Sequence, residues 1–236
     1  MIRFDVRIDP KQFSDVAINA MRDLVLQALT TAQRQSITPC RRIFRESLRR
    51  QKEYDSLLGA RSGYNNNPLK SAFGLTDDMA LSAVDTILDA SENMLKISVI
   101  PPAVGKRGPN QPLSDFGGLR IVLVPEDISM LYGIGGTSYT STSKRGAFNI
   151  PWLNWLLERG QSTLISDFYP LYGSYPSDAS RSREAIMVPS GGSGKKFEVS
   201  RTYAGKRGNN WITRAANSCI PKIQGVLTEF VMRNLK

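Results

Sequence analysis

The amino-acid sequence predicts an α+β protein: long N-terminal helices and a C-terminal helix packed on a central, mainly antiparallel β-sheet, with two long loops. Three observations carry this. Apolar residues recur at helical spacing near both ends of the chain. Between them lie short runs rich in Val, Ile and Leu, bounded by turn residues. Two stretches, 103–118 and 133–146, are rich in Gly with Pro, Ser or Thr and read as loops. At about 100–200 residues per domain, the 236 residues make one domain, 1–236. Within it, 1–93 supplies a strand and helices, 94–208 a β-rich core with both loops, and 209–236 the last helix. No period of about 20–50 residues recurs, which excludes a solenoid.

The elements follow in order. Ile2, Phe4, Val6 and Ile8 alternate with Arg3, Asp5 and Arg7, the period of a half-exposed strand. Asp9-Pro10 is an N-cap followed by proline at the first helical position. The helix it opens runs to about Ser36, with Phe13, Val16, Ala17, Ala20, Leu24 and Ala28 on one stripe. Thr38-Pro39 repeats the signal and starts a second helix through about Tyr54. That helix carries Arg41, Arg42, Arg45, Arg49, Arg50 and Lys52, partly offset by Glu46 and Glu53. A turn-rich stretch, 59–68, precedes one helical turn from Leu69 to Leu75 ended at Gly74. Thr76 caps a third helix to about Ser91, with Met79, Ala83, Ile87 and Leu88 facing inward.

Leu95 to Ile100 is a strand closed by Pro101-Pro102, and Leu119 to Val124 is the clearest strand in the chain. Pro151 to Gly160 is a helix with proline in its first turn and glycine past its end. Strands follow at 162–168, 185–189 and 196–203. Asn210 to Leu235 is a helix kinked at Pro221, and its stripe is Ile212, Ala215, Ala216, Ile220, Ile223, Val226, Leu227 and Phe230.

Composition prunes the functions. The chain has no His, so Ser-His-Asp and Cys-His nucleophiles and His-bearing zinc sites cannot be built. Cys40 and Cys219 are too few for a four-thiolate site or a disulfide framework. They read as two thiols of a reducing compartment, with a single disulfide between them as the other option. No metal or cofactor is expected. No window approaches the roughly 18 apolar residues of a membrane span. The alternating start lacks the apolar core of a signal peptide, so no membrane partner and no export are expected. A net charge of +10 calls for an acidic partner, and the excess is concentrated: Lys195 to Lys236 holds nine basic and two acidic residues.

Several motifs reduce to simpler roles. Gly191-Gly-Ser-Gly194-Lys195-Lys196 lacks the Ser or Thr that follows Gly-Lys in a phosphate loop, and reads as a hairpin turn. Ser193 and Lys196 match Ser-x-x-Lys, but Gly194 argues against the helix that chemistry needs. Gly133-Ile-Gly135-Gly136 does not join a strand to a helix, so a dinucleotide site fails. Asp77-Asp78, Glu126-Asp127, Glu158 and Glu184 are the carboxylates left for acid–base work, each with a plain role at a helix start, strand end or solvated face. Lys-Arg-Gly occurs three times in expected loops, giving Lys106, Arg107, Lys144, Arg145, Lys206 and Arg207. With the Arg-rich helix these could track phosphates, but no aromatic stacking platform accompanies them, so they are read as candidate docking residues. Trp152, Trp155 and Trp211 beside aliphatic runs read as core.

A set of segments carries a family resemblance. They are Tyr54 to Gly59, Leu69 to Leu75, Pro151 to Gly160 with Trp152 and Trp155, Ser182 to Val188, and Phe197 through Gly205, Asn210, Trp211 and Arg214 to Ala215. Together they resemble the tail-completion, or neck, proteins of tailed bacteriophages. The stretches 103–118 and 133–146 extend beyond the compact pattern of that family. The resemblance implies a noncatalytic virion structural protein, not an enzyme, that forms a homo-oligomeric ring at the head–tail neck. It implies as partners the head connector or adaptor and the tail terminator or tail tube proteins. It also implies that genome DNA passes through the channel without specific binding. Assembly in the host cytoplasm and residence in the virion follow from the same resemblance. Two other classes stay open. A DNA-binding packaging or maturation factor predicts salt-sensitive duplex binding, and a carboxylate-based virion hydrolase predicts turnover lost with one acidic residue.

Overall fold

The computed structural model describes residues 1–7, 15–59, 68–102, 117–143, 146–159, 168–172, 185–190 and 197–235. It is an α+β protein with seven described strands and six helices. In order they are β1 (Ile2–Arg7), α1 (Asp15–Arg49), α2 (Lys52–Leu57), α3 (Leu69–Ala72), α4 (Asp77–Met94), β2 (Lys96–Ile100), β3 (Gly118–Val124), β4 (Tyr139–Ser143), β5 (Gly146–Ile150), α5 (Trp152–Leu157), β6 (Phe168–Tyr172), β7 (Ala185–Pro189) and α6 (Trp211–Asn234). The strands form three antiparallel sheets, ordered β1-β3-β2, β4-β5 and β6-β7. The chain divides into two compact units: Met1–Phe44 with Glu92–Glu126 and Ala216–Lys236, and Arg45–Ser91 with Asp127–Ala215.

The first unit holds the three-stranded sheet. Its two faces follow from the period-two sequence. Ile97, Leu119, Ile121 and Leu123 are buried on one face, while Lys96 and Ser98 lie exposed on the other with Arg120 half-exposed. On that outer face Arg120 Nε donates to Asp5 Oδ1 at 3.1 Å. This bond, with the neighbouring positive charges, holds the Asp5 carboxyl below its ordinary range. Helical residues Val25, Ala28, Leu29, Ala32, Cys40, Cys219, Ile223, Leu227 and Val231 complete the core of this unit.

Several expectations need correction. The break at Thr38-Pro39 is absent: α1 runs through Pro39. A mid-helix proline costs about 3 kcal/mol or more, but the inward stripe Ala32, Ser36, Cys40, Phe44, Leu48 continues unbroken across it. The carbonyl that loses its bond belongs to Gln35, which is exposed and open to water. The same holds for Pro221 in α6, one turn after exposed Asn217.

In the second unit, the stretch expected as a loop at 133–146 instead holds β4. The alternating Tyr139-Thr-Ser-Thr-Ser143 pairs with β5, and Tyr139 Oη donates to the Phe73 carbonyl at 2.6 Å. A polar strand of this kind is easily mistaken for a loop. The strand expected at 196–203 is not formed over 198–203, where turns at Ser200 give Tyr203 and Ala204 their backbone bonds. Phe197 and Val199 are nevertheless buried. Of the strand expected at 162–168, Phe168 alone lies within the described residues, where it opens β6. Residues 103–116, 162–167 and 191–196 lie outside the described residues.

Local signals held elsewhere. Thr76 Oγ1 accepts the Met79 N–H at 3.1 Å, Gly74 takes φ 66° after α3, and the three tryptophans are buried. Trp152 packs against Phe73 with the rings tilted and their centroids 5.7 Å apart.

On α6 the stripe turns slightly from the expected one. Leu227 is 0% exposed and Val231 is buried, whereas Phe230 is half-buried beneath the Arg233 guanidinium at 5.3 Å. Leu227→Ala should therefore cost about 2–5 kcal/mol in denaturant melts, and Phe230→Ala clearly less. Burial pushes the Cys40 and Cys219 thiols up to about 12, the charge of Cys219 adding to the effect on Cys40. Neither should react with iodoacetamide at pH 8 in the folded protein, and both should react once it is unfolded; mass spectrometry reads the difference.

Candidate functional site

The one Lys-Arg-Gly repeat within the described residues forms an exposed tip on a buried frame. Lys106, Arg107, Lys144 and Arg145 lie outside the described residues. Lys206 and Arg207 are exposed at a four-residue turn in which Lys206 N–H donates to Asn209 O at 3.0 Å and Asn209 N–H donates to Lys206 O at 2.9 Å. Gly208 sits at φ 85°, the left-handed region where a glycine costs nothing. Arg159, after α5, bridges to Lys206 and adds a third exposed cation.

The base of the tip is fixed by close packing. Gly205 N–H donates to Leu156 O at 2.9 Å. A Cβ at Gly205 would stand 2.6 Å from Leu156 O and 2.8 Å from Leu157 O, so only glycine lets the backbone approach the end of α5. After the tip, α6 opens with a reciprocal cap. Thr213 N–H donates to Asn210 Oδ1 at 3.1 Å, and Asn210 N–H donates to Thr213 Oγ1 at 2.8 Å. Trp211 Nε1 donates to Leu48 O at 3.0 Å, a carbonyl at the end of α1 that also accepts the Gln51 N–H at 3.2 Å. Ser47 Oγ donates to Ala215 O at 2.7 Å.

Beneath this frame lies a residue the sequence did not single out. Glu53 of α2 is 0% exposed, and its Oε1 accepts from Arg214 Nη2 at 2.6 Å. Arg214 Nη1 in turn reaches Asn209 Oδ1 at 3.2 Å. One guanidinium thus joins a buried carboxylate to the turn that carries Lys206 and Arg207. The available signal was position: Glu53, Ser56 and Leu57 share one face of α2, and all three are buried.

Charge around the tip is mixed but mainly positive. Asp127 accepts the Ser129 N–H at 2.8 Å. That bond and the Ser129 side chain, with a lesser contribution from Arg207, hold its carboxyl below the ordinary range. Tyr132 is held above its ordinary range by burial first and by the Glu158 charge second. Two of the expected carboxylates, Asp127 and Glu158, both act on Tyr132. Asp77 and Asp78 are exposed in the first turn of α4, where Lys70 pairs with Asp77 at 2.6 Å. Glu158 ends α5 beside Tyr132, and Glu184 lies outside the described residues. The Gly133–Gly136 stretch leads into strand β4, not a helix. Among the described residues no group of three or more His, Cys, Asp or Glu is placed to hold a metal, and no helix is long and apolar enough to cross a membrane.

No protein-family model, curated protein or solved structure matches this chain.

Removing one partner of a buried ion pair leaves the other charge uncompensated. Arg214→Met should therefore destabilise the protein by about 3–5 kcal/mol. An exposed pair such as Arg233–Glu229 should shift it by at most about 1 kcal/mol when broken. Paired denaturant titrations of the two variants check the contrast.

Proposed function

We propose that this protein is a noncatalytic structural component of a tailed-bacteriophage neck, joining the head connector to the tail. The observation that carries this reading is the Gly205–Arg214 segment. It lies in the part of the sequence with the family resemblance, and it presents Lys206 and Arg207 on a frame fixed by Gly205, Asn210, Trp211 and the Glu53–Arg214 pair. An exposed cation pair on a fixed backbone suits docking: the turn needs little further ordering, and rim charges set register and speed encounter with an acidic neighbour. Ring assembly and contact with connector and tail proteins belong to the same reading. Genome DNA passing through such a ring is better served by weak phosphate contacts than by strong ones, which release counterions and hold the duplex.

Lys206→Ser with Arg207→Ser should leave the melting temperature unchanged and reduce the yield of joined particles when purified heads and tails are mixed with the protein. A duplex-DNA titration at physiological salt separates the alternative. Submicromolar binding by the parent, lost in the double variant, would replace the docking reading with a DNA-binding packaging factor.

A further inference from the structure

The three-stranded sheet has two edges, and they are treated differently. At β2, Gln33 Nε2 of α1 donates to the Ile97 carbonyl at 2.7 Å. That carbonyl therefore points away from β3, and the helix side chain occupies the position a further strand would take. At the other edge, β1 pairs among the described residues with β3 alone.

The same bond fixes which groups β1 presents. Antiparallel neighbours alternate between hydrogen-bonded and non-hydrogen-bonded pairs. Ile97, with its carbonyl turned outward, stands opposite Ile121 in a non-hydrogen-bonded pair. Ile121 must then turn its N–H and C=O toward Phe4, its partner on β1. The backbone groups of Arg3 and Asp5 consequently point to the outer edge.

We infer that the β1 edge pairs antiparallel with the β1 edge of a second copy of this chain, with Arg3 opposite Asp5 of the second copy and Phe4 opposite Phe4. Charge selects the occupant and the register. With Arg3 and Asp5 presenting outward, this alignment places each cation against a carboxylate on both sides of the two-fold axis. Sliding by one pairing step sets Asp5 against Asp5 and Arg3 against Arg7, and sliding the other way sets Arg3 against Arg3. Like charges directly opposite are destabilising across a strand pair. On the other face the favoured register brings together two Phe4 rings, half-buried in the single chain. Asp5 already bonds to Arg120, so its side chain is held in place for the second cation.

The contact is isologous and closes on two copies. It does not rest on the neck reading; in a ring of like-oriented subunits this pair must open, which makes it a form of the chain before docking. A single short strand pair buries well under the roughly 1,200 Å² of a standard interface, so the dimer should be weak and concentration-dependent.

The test uses the full chain. Sedimentation equilibrium should show a monomer–dimer exchange in the micromolar range, and Arg3→Glu, at an exposed position, should abolish it without changing the melt. Under mild oxidation Phe4→Cys should link to itself, because facing non-hydrogen-bonded positions bring their Cβ atoms close enough for a disulfide. Asp5→Cys should not link to itself. A parent that stays monomeric at every concentration, a dimer unaffected by Arg3→Glu, or linking by Asp5→Cys but not by Phe4→Cys would each overturn the inference. A larger assembly in which Phe4→Cys stays unlinked would overturn it as well.

Discussion

The ion pair between Glu53 and Arg214 is the interaction on which the second unit most depends, because its parts cannot be left alone. A carboxylate with no exposed surface pays several kcal/mol in lost hydration. Among the described residues its compensation is the Arg214 guanidinium at 2.6 Å. Arginine suits the task because its donors form a flat fork that stays charged. One arm holds Glu53 and the other holds Asn209, so the turn with Lys206 and Arg207 is tied through Arg214 to a buried charge 161 residues from that arginine in sequence. The cap at Asn210 and the Trp211 bond to Leu48 run in parallel with it. The exposed turn is thus held by buried polar contacts as well as by its own Lys206–Asn209 bonds.

The first unit shows the complementary constraint. Its sheet is stabilised by one apolar face, and its edges remain the exposed backbone groups that must be managed. Gln33 settles one edge inside the chain. The other carries alternating charge, and that charge makes one self-pairing register favourable and its neighbours unfavourable. The Lys206–Arg207 turn belongs to one unit and the β1 edge to the other.

Much of the fold was legible in the sequence because it depends on local rules. The cap at Thr76, the glycine after α3, the start of α6 at Asn210 and the alternation in β1 and β3 all follow from residue type and spacing. What was not legible depends on tertiary burial. Pro39 has every local mark of a helix start, yet the stripe from Ala32 to Leu48 continues through it and outweighs the lost bond. Tyr139 to Ser143 has loop composition, and only pairing with β5 makes it a strand. Phe230 is apolar and correctly spaced, but it sits at the margin of the stripe where Val231 is inside. The site divides the same way. The repeated Lys-Arg-Gly motif marks Lys206 and Arg207, while in the sequence Glu53 is one acidic residue among arginines. Charge counting carries no information on burial, and burial is what gives Glu53 its role.

Amide hydrogen exchange at the tip tests the central claim most directly. The Lys206 and Asn209 amides bond across the turn, and Arg214 ties that turn to Glu53. In the Arg214→Met variant, under conditions where the protein stays folded, these two amides should exchange many-fold faster than in the parent. The Glu158 amide, bonded within α5 to Asn154 O at 3.0 Å, should keep its protection. Unchanged protection at Lys206 and Asn209, with Arg214 removed and the fold intact, would show that the buried pair does not hold the tip.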